Sequence, residues 1–167
     1  LVRRIRSELV LFGATLDPHA AWLIQRGLKT YFLRRREQCA TAMQVAKMLA
    51  GHPKVAAVHY PGLDTHPQHA LAATQMSDFG SIVTFDIIGG AGAAARFADA
   101  LQLFALAGSV GSTESLVLPS QLLLPRHLSA EQVRISGLSE GTVRLSIGLE
   151  TPEDLLADLE QALGRVE

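Results

Sequence analysis

The chain has 167 residues, of which 48% are hydrophobic and 19% charged, and its 15 Lys+Arg against 16 Asp+Glu leave a formal net charge of -1. That length is enough for one domain-sized core, and the composition excludes a disordered or fibrous protein. Near-balanced charge gives no reason to expect a nucleic acid or an anionic membrane as partner, and no apolar run approaches the ~20 residues of a membrane span.

At the N-terminus the sequence starts at Leu1 and runs directly into RRIRSELV, which reads as the interior of a longer chain. The expectation is a single domain over 1–167, the C-terminal fragment of a larger protein, with roughly its first fifty residues helical and leading to a large domain upstream. The early basic residues Arg3, Arg4, Arg6, Arg26, Lys29 and Arg34 to Arg36 read as solvated helix faces or as contacts to that upstream segment. With no signal peptide in view, a cytoplasmic location is expected.

Asp17-Pro18 supplies an N-cap followed by proline in the first turn, so a helix starts there. Ile24, Leu28 and Tyr31-Phe32, then Cys39, Ala42-Met43, Ala46 and Leu49, recur at helical spacing up to GHPK at 51–54, giving two helices divided near RGLKT or one helix with a break. Cys39, the single cysteine, reads as a small core residue of a reducing compartment. VAAVHY at 55–60 is a strand candidate closed by Pro61-Gly62, and a short helix follows at 67–75. His59, Asp64, His66 and His69 crowd this stretch, yet they occupy strand-end, turn and cap positions, and no metal site is expected.

SIVTFDI at 81–87 alternates, with Ser81, Val83, Phe85 and Ile87 opposite Ile82, Thr84 and Asp86, and predicts a strand. GGAG at 89–92 lacks the spacing of a phosphate loop and reads as a tight turn into a helix striped by Ala94, Phe97-Ala98, Leu101 and Phe104. LAGSVGSTESL at 106–116 packs glycines and hydroxyl residues between a helix and a strand at 114–119, a loop able to bring backbone amides and Ser109 to a small ligand. Residues 120–140 show no clear period and read as a connecting excursion. In GTVRLSIGLE at 141–150, alternation puts Val143, Leu145 and Ile147 on one face and Arg144 and Ser146 on the other. An arginine on a strand reaches solvent or meets a carboxylate or phosphate. The chain closes on a helix signalled by Thr151 as N-cap, Pro152, and a stripe of Leu155-Leu156, Leu159 and Leu163. Together these elements predict an α+β domain, a small sheet covered by helices on one side.

RGLKT at 26–30, YPGLDTHPQH at 60–69, SVGSTESL at 109–116 and VRLSIGLE at 143–150, in that order, resemble the C-terminal domain of the Cys/Met-metabolism (trans-sulfuration) family of pyridoxal-phosphate-dependent enzymes. The resemblance implies the small domain of a fold-type I enzyme, like the aspartate aminotransferases, with a short, mostly antiparallel sheet. It implies γ-synthase, γ-lyase or O-acylhomoserine sulfhydrylase chemistry on an amino-acid substrate in a homo-oligomer, commonly a tetramer. Arg144 falls on the family's arginine that clamps the substrate α-carboxylate, while Ser109 and Val110 open the substrate loop beside it. The Schiff-base lysine belongs to the large domain, and Lys29, Lys47 and Lys54 stand outside the family's serine-x-threonine-lysine context, so pyridoxal phosphate is expected to be bound by that domain and not covalently here. The chain alone is therefore expected to be inactive. Gly108 stands where cystathionine-handling members often carry glutamate, Ser112 where many have glycine or aspartate, and QLLLPRHL at 121–128 replaces the family's methionine-threonine-histidine run, implying an apolar far wall. The rival reading is a stand-alone module that binds small carboxylates, or dimerises, without catalysis.

Overall fold

A computed structural model of the chain describes residues 1–13, 15–123 and 129–166. These divide into two compact units, Leu1–Leu33 and Arg34–Glu167. The first unit contains α1 (Val2–Phe12) and α2 (Pro18–Leu28), neither of which buries a residue. Asp17 caps α2 as its sequence predicts, its Oδ1 accepting from the backbone N–H of His19 at 2.9 Å and of Ala20 at 3.1 Å. The break near RGLKT falls at Lys29 and Thr30, after which α3 runs over Tyr31–Ala50. No helix among the described residues is long and apolar enough to cross a membrane.

The second unit is built on a five-stranded sheet in the order β1-β2-β5-β4-β3. Its strands are β1 (Val55–His59), β2 (Ile82–Ile87), β3 (Ala105–Leu106), β4 (Leu116–Pro119) and β5 (Thr142–Ser146). All neighbours pair antiparallel except β3 with β4. The predicted alternation is realised in full on β2 and β5: Val83, Phe85, Val143, Leu145 and Ile147 are fully buried. They pack with Ala42, Val45, Ala46 and Leu49 of α3, Phe97 of α5 (Gly90–Ala100), and Leu155, Leu159 and Leu163 of α8 (Pro152–Gly164). Each of the larger aliphatic or aromatic side chains contributes about 1.5–3 kcal/mol on burial, so this layer holds the sheet in one register. Cys39 lies at the margin of the core, and burial pushes its thiol above the ordinary range, which fits an inert packing role.

Several local findings refine the sequence reading. β3 was not visible in the sequence, since its two residues are exposed and bury no stripe. Within the 120–140 excursion lie α6 (Ser120–Leu123) and α7 (Ala130–Ser136), while Leu124 to Leu128, and with them most of QLLLPRHL, lie outside the described residues. A short α4 covers His69–Gln75. Gly89 and Gly90 adopt positive φ, 102° and 65°, to turn the chain from β2 into α5, which is the tight-turn reading of GGAG. Thr151 sits at the N-cap of α8 but makes no side-chain capping bond; its carbonyl accepts from Leu155 N–H at 3.2 Å instead.

Candidate active-site surface

The sheet face turned away from the core carries the polar residues that alternation excludes from it. Arg144 sits there on the central strand β5, opposite Thr84 of β2 on one side and Leu118 of β4 on the other. The side chain is half-buried. Its Nη2 donates to the backbone carbonyls of Gly108 at 2.9 Å and Ser109 at 3.2 Å. Among the described residues no carboxylate pairs with it, and its Nε is a buried nitrogen without a hydrogen-bond partner. A guanidinium so placed is held in position by neutral acceptors while part of its charge and donor capacity stays unused. A buried donor left in that state costs roughly 1–3 kcal/mol, which an incoming anion would recover.

The serine loop meets the arginine through the carbonyls of Gly108 and Ser109. Ser109 and Val110 are both exposed on it, Gly111 takes φ 76°, and the Gly111 N–H points to Ser146 Oγ at 3.4 Å. Beyond Gly111 the loop is stapled to the turn after β5. Leu149 N–H donates to the Thr113 carbonyl at 2.8 Å, and the Glu150 carboxylate accepts from Ser115 N–H at 2.7 Å and Ser115 Oγ–H at 2.8 Å. The Ser115 oxygen, fully buried, in turn accepts from Gly148 N–H at 2.8 Å. Ser112 donates to the Glu114 carboxylate, which this hydroxyl, with Glu114's own amide and the Thr113 hydroxyl, holds below the usual range. That contact gives Ser112 a local role the sequence alone does not reveal.

Glu150, Ser115 and Gln38, which reaches the loop from α3, escape a motif-based reading. The signal for Glu150 is the continued period of two through Arg144, Ser146, Gly148 and Glu150, all of which face the loop. For Gln38 it is a polar residue in line with the buried stripe Ala42, Val45 and Leu49.

A second polar group occupies the same face near the sheet edge. Asp86 accepts from Ser139 Oγ at 2.7 Å, from His59 Nε2 at 2.8 Å and from the Thr142 hydroxyl. Burial pushes its pKa up, but the hydrogen bonds of Thr142, His59 and Ser139 and the charge of His59 outweigh this and hold it below the ordinary carboxylate range. The remaining histidines of the 59–69 cluster do not converge on a metal. His69 Nδ1 meets the Pro61 carbonyl at 2.8 Å, its ring stacks on Phe79, and His66 Nδ1 accepts from Gln68 N–H at 3.2 Å. No group of metal-binding residues occurs among the described residues.

Lys54 Nζ is spent on the carbonyls of Leu163 at 2.9 Å, Gly164 at 3.3 Å and Val166 at 2.6 Å, where it closes the C-terminus of α8. Lys47 is exposed on α3, and Lys29 follows α2 in the first unit.

A family model described as Cys/Met metabolism PLP-dependent enzyme matches residues 2–164. L-methionine gamma-lyase of Pseudomonas putida is 47% identical over 98% of this chain and 42% of its own length. Cystathionine gamma-synthase 1, chloroplastic, of Arabidopsis thaliana is 42% identical over 98% of this chain and 29% of its own length. Among solved structures, cystathione gamma lyase (CalE6) from Micromonospora echinospora superposes with a TM-score of 0.88 at 42% identity, covering 96% of this chain and 42% of that one. The chain thus spans less than half the length of the relatives it matches. Their fold is that of the fold-type I enzymes, and the α+β domain with its mostly antiparallel sheet is the one the resemblance implies.

Proposed function

The chain belongs to the Cys/Met-metabolism family of pyridoxal-phosphate-dependent enzymes, and from that premise we propose that it supplies the substrate-carboxylate side of the active site of a sulfur-amino-acid enzyme. The full protein would eliminate or replace the γ-substituent of a sulfur-containing or O-acylated amino acid, in the manner of a γ-lyase, γ-synthase or O-acylhomoserine sulfhydrylase. The lysine that carries the cofactor would come from outside these residues: Lys54 is held by three carbonyls, and Lys29, Lys47 and Lys54 all stand outside the family's serine-x-threonine-lysine context, which supports this reading. The observation that carries the reading is the Arg144 guanidinium, braced by two loop carbonyls with a buried, unpartnered Nε.

In this reading Arg144 binds and orients the α-carboxylate. Charge-assisted hydrogen bonds of about 1.5–3 kcal/mol each fix the amino acid by its acid end, which sets the direction in which its side chain points. Ser109 lends a hydroxyl donor from the loop, and the exposed Val110 offers an apolar contact to the substrate's carbon chain. The cofactor, when bound by the rest of the enzyme, supplies the electron sink for chemistry at the α-carbon. Positioning is this chain's contribution.

The test is an equilibrium titration of the full-length, cofactor-loaded enzyme with an amino acid that has no γ leaving group and with the corresponding amine lacking the carboxyl. The amino acid should bind far more tightly than the amine, and Arg144→Ala should abolish the difference. Equal affinity of the unaltered enzyme for both compounds would refute the proposal.

A further inference from the structure

The substrate loop and Arg144 hold one another, since the bonds that brace the guanidinium come from the carbonyls of Gly108 and Ser109. Two flexible partners do not fix each other in space; one needs an external reference. The far end of the loop has its reference in the turn after β5, through Thr113, Ser115 and Glu150. Between the two ends lies Gly111, at a positive φ that permits bending.

One helix side chain reaches the loop immediately after that glycine. Gln38 is 1% exposed, and its Nε2 donates to the Ser112 carbonyl at 2.7 Å across 74 positions of sequence. Its other end is also satisfied: Oε1 accepts from Arg35 Nη1 at 3.3 Å, and the same Nη1 donates to Ser81 Oγ at 2.5 Å. A buried amide is costly unless both ends are paired. Here one end faces the helix's own neighbours, and the other is committed to the loop. Alpha-helical backbone packed into the core, with Ala42, Val45 and Leu49 fully buried on the same face, is a rigid base for that contact.

We propose that Gln38 is a positioning residue of the carboxylate site. Acting through the Ser112 carbonyl, it fixes the loop whose Gly108 and Ser109 carbonyls brace Arg144. The inference rests on the reading of Arg144 as the carboxylate anchor and adds to it a residue that touches neither substrate nor cofactor.

Gln38→Glu separates this role from a merely structural one. Glutamate has the same shape and pairs with Arg35 at least as well, but it presents only acceptors to the Ser112 carbonyl, so the loop bond is lost in either orientation. In the full-length, cofactor-loaded enzyme, the expected result is a five- to thirtyfold rise, as an order of magnitude, in KM and in Kd for the non-reacting amino acid. The Kd of the matching amine and the cofactor's visible absorption band should stay as they were, with kcat within about twofold, while the thermal midpoint falls because a carboxylate is buried against a carbonyl. Unchanged amino-acid affinity would overturn the proposal, as would an equal loss for the amine. If Gln38→Glu does not fold, Gln38→Met, which has no N–H to donate to the Ser112 carbonyl and no amide oxygen to accept from Arg35, is read by the same affinities. An unaltered enzyme that fails to distinguish amino acid from amine would refute the reading of Arg144, whereas a distinction as large in the Gln38 variant as in the unaltered enzyme would refute only the role of Gln38.

Discussion

Arg144→Ala in the full-length enzyme removes a charge, the brace on the loop and the buried unpartnered Nε together. A carboxylate held by two charge-assisted bonds loses about 3–6 kcal/mol in gross terms. Water entering the vacated space rehydrates the carboxylate and returns part of this, leaving about 3–4 kcal/mol. At about 1.4 kcal/mol per factor of ten, kcat/KM should fall by between two and three powers of ten. Because the carboxylate keeps its charge from bound substrate to transition state, the loss belongs mainly to KM. Arg144→Lys should fall in between, roughly tenfold down, since an ammonium keeps the charge but not the planar fork. Steady-state kinetics over a wide substrate range measure both numbers. An Arg144→Ala enzyme with unchanged KM would remove the residue from the pocket and the proposal with it.

Three further outcomes test other parts of the structure. A methyl group on Gly148 would lie within 3 Å of the Thr113 carbonyl oxygen and 2.6 Å from the Glu114 carbonyl carbon, both backbone atoms, so Gly148→Ala should destabilise the second unit by about 2–3 kcal/mol in denaturant unfolding; an unchanged midpoint would contradict the close approach. Asp86, whose pKa is depressed in the folded state, contributes stability that is present above the ordinary carboxylate range and lost as pH falls through its folded value. Asp86→Asn should therefore be less stable than the parent at neutral pH, with the gap closing below about pH 4, and a gap independent of pH would refute this. The 167-residue chain alone, mixed with pyridoxal phosphate, should show no saturable lysine-bound cofactor band, because Lys54 is occupied by three carbonyls; a band saturating at one equivalent would overturn that expectation.

What the sequence showed and what it hid follow from the range of the interactions concerned. β2, β5 and α8 were legible because their side chains obey a period set by a single buried face, as Val83 and Phe85, Val143 and Leu145, and Leu155 and Leu159 do. β3 obeys no such period: Ala105 and Leu106 are strand only because their backbone pairs with β4, each with a partner eleven positions on that no local pattern announces. The same holds within the site. Arg144 and Ser109 lie in stretches whose pattern the sequence displays, whereas Gln38 is marked out by one bond to a carbonyl, and a carbonyl carries no residue identity for a sequence to display. The histidines show the converse. Their density alone invites a ligand reading that their strand-end, turn and cap positions argue against; His59 bonds Asp86 and His69 bonds the Pro61 carbonyl.

The alternation in RLSIGLE links folding to the site directly. Val143, Leu145 and Ile147 are fully buried, so Arg144 and Ser146 must face the other way, and the period runs on past the strand to Gly148 and Glu150. Those four residues meet the loop at Gly108 and Ser109, at Gly111, at Ser115, and again at Ser115. A slip of β5 by one residue would drive Arg144 into the apolar layer and turn three core side chains outward, at a cost of several kcal/mol for the side chains alone. It would also break the contacts that β5 and the turn after it make with the loop. The register that gives the domain its core is thus the register that sets the guanidinium against its two carbonyls, and a shift of β5 along its neighbours cannot lose one while keeping the other. Gln38 is the exception, because it reaches the loop from α3; it is the place where loop geometry can be altered while the sheet stays intact.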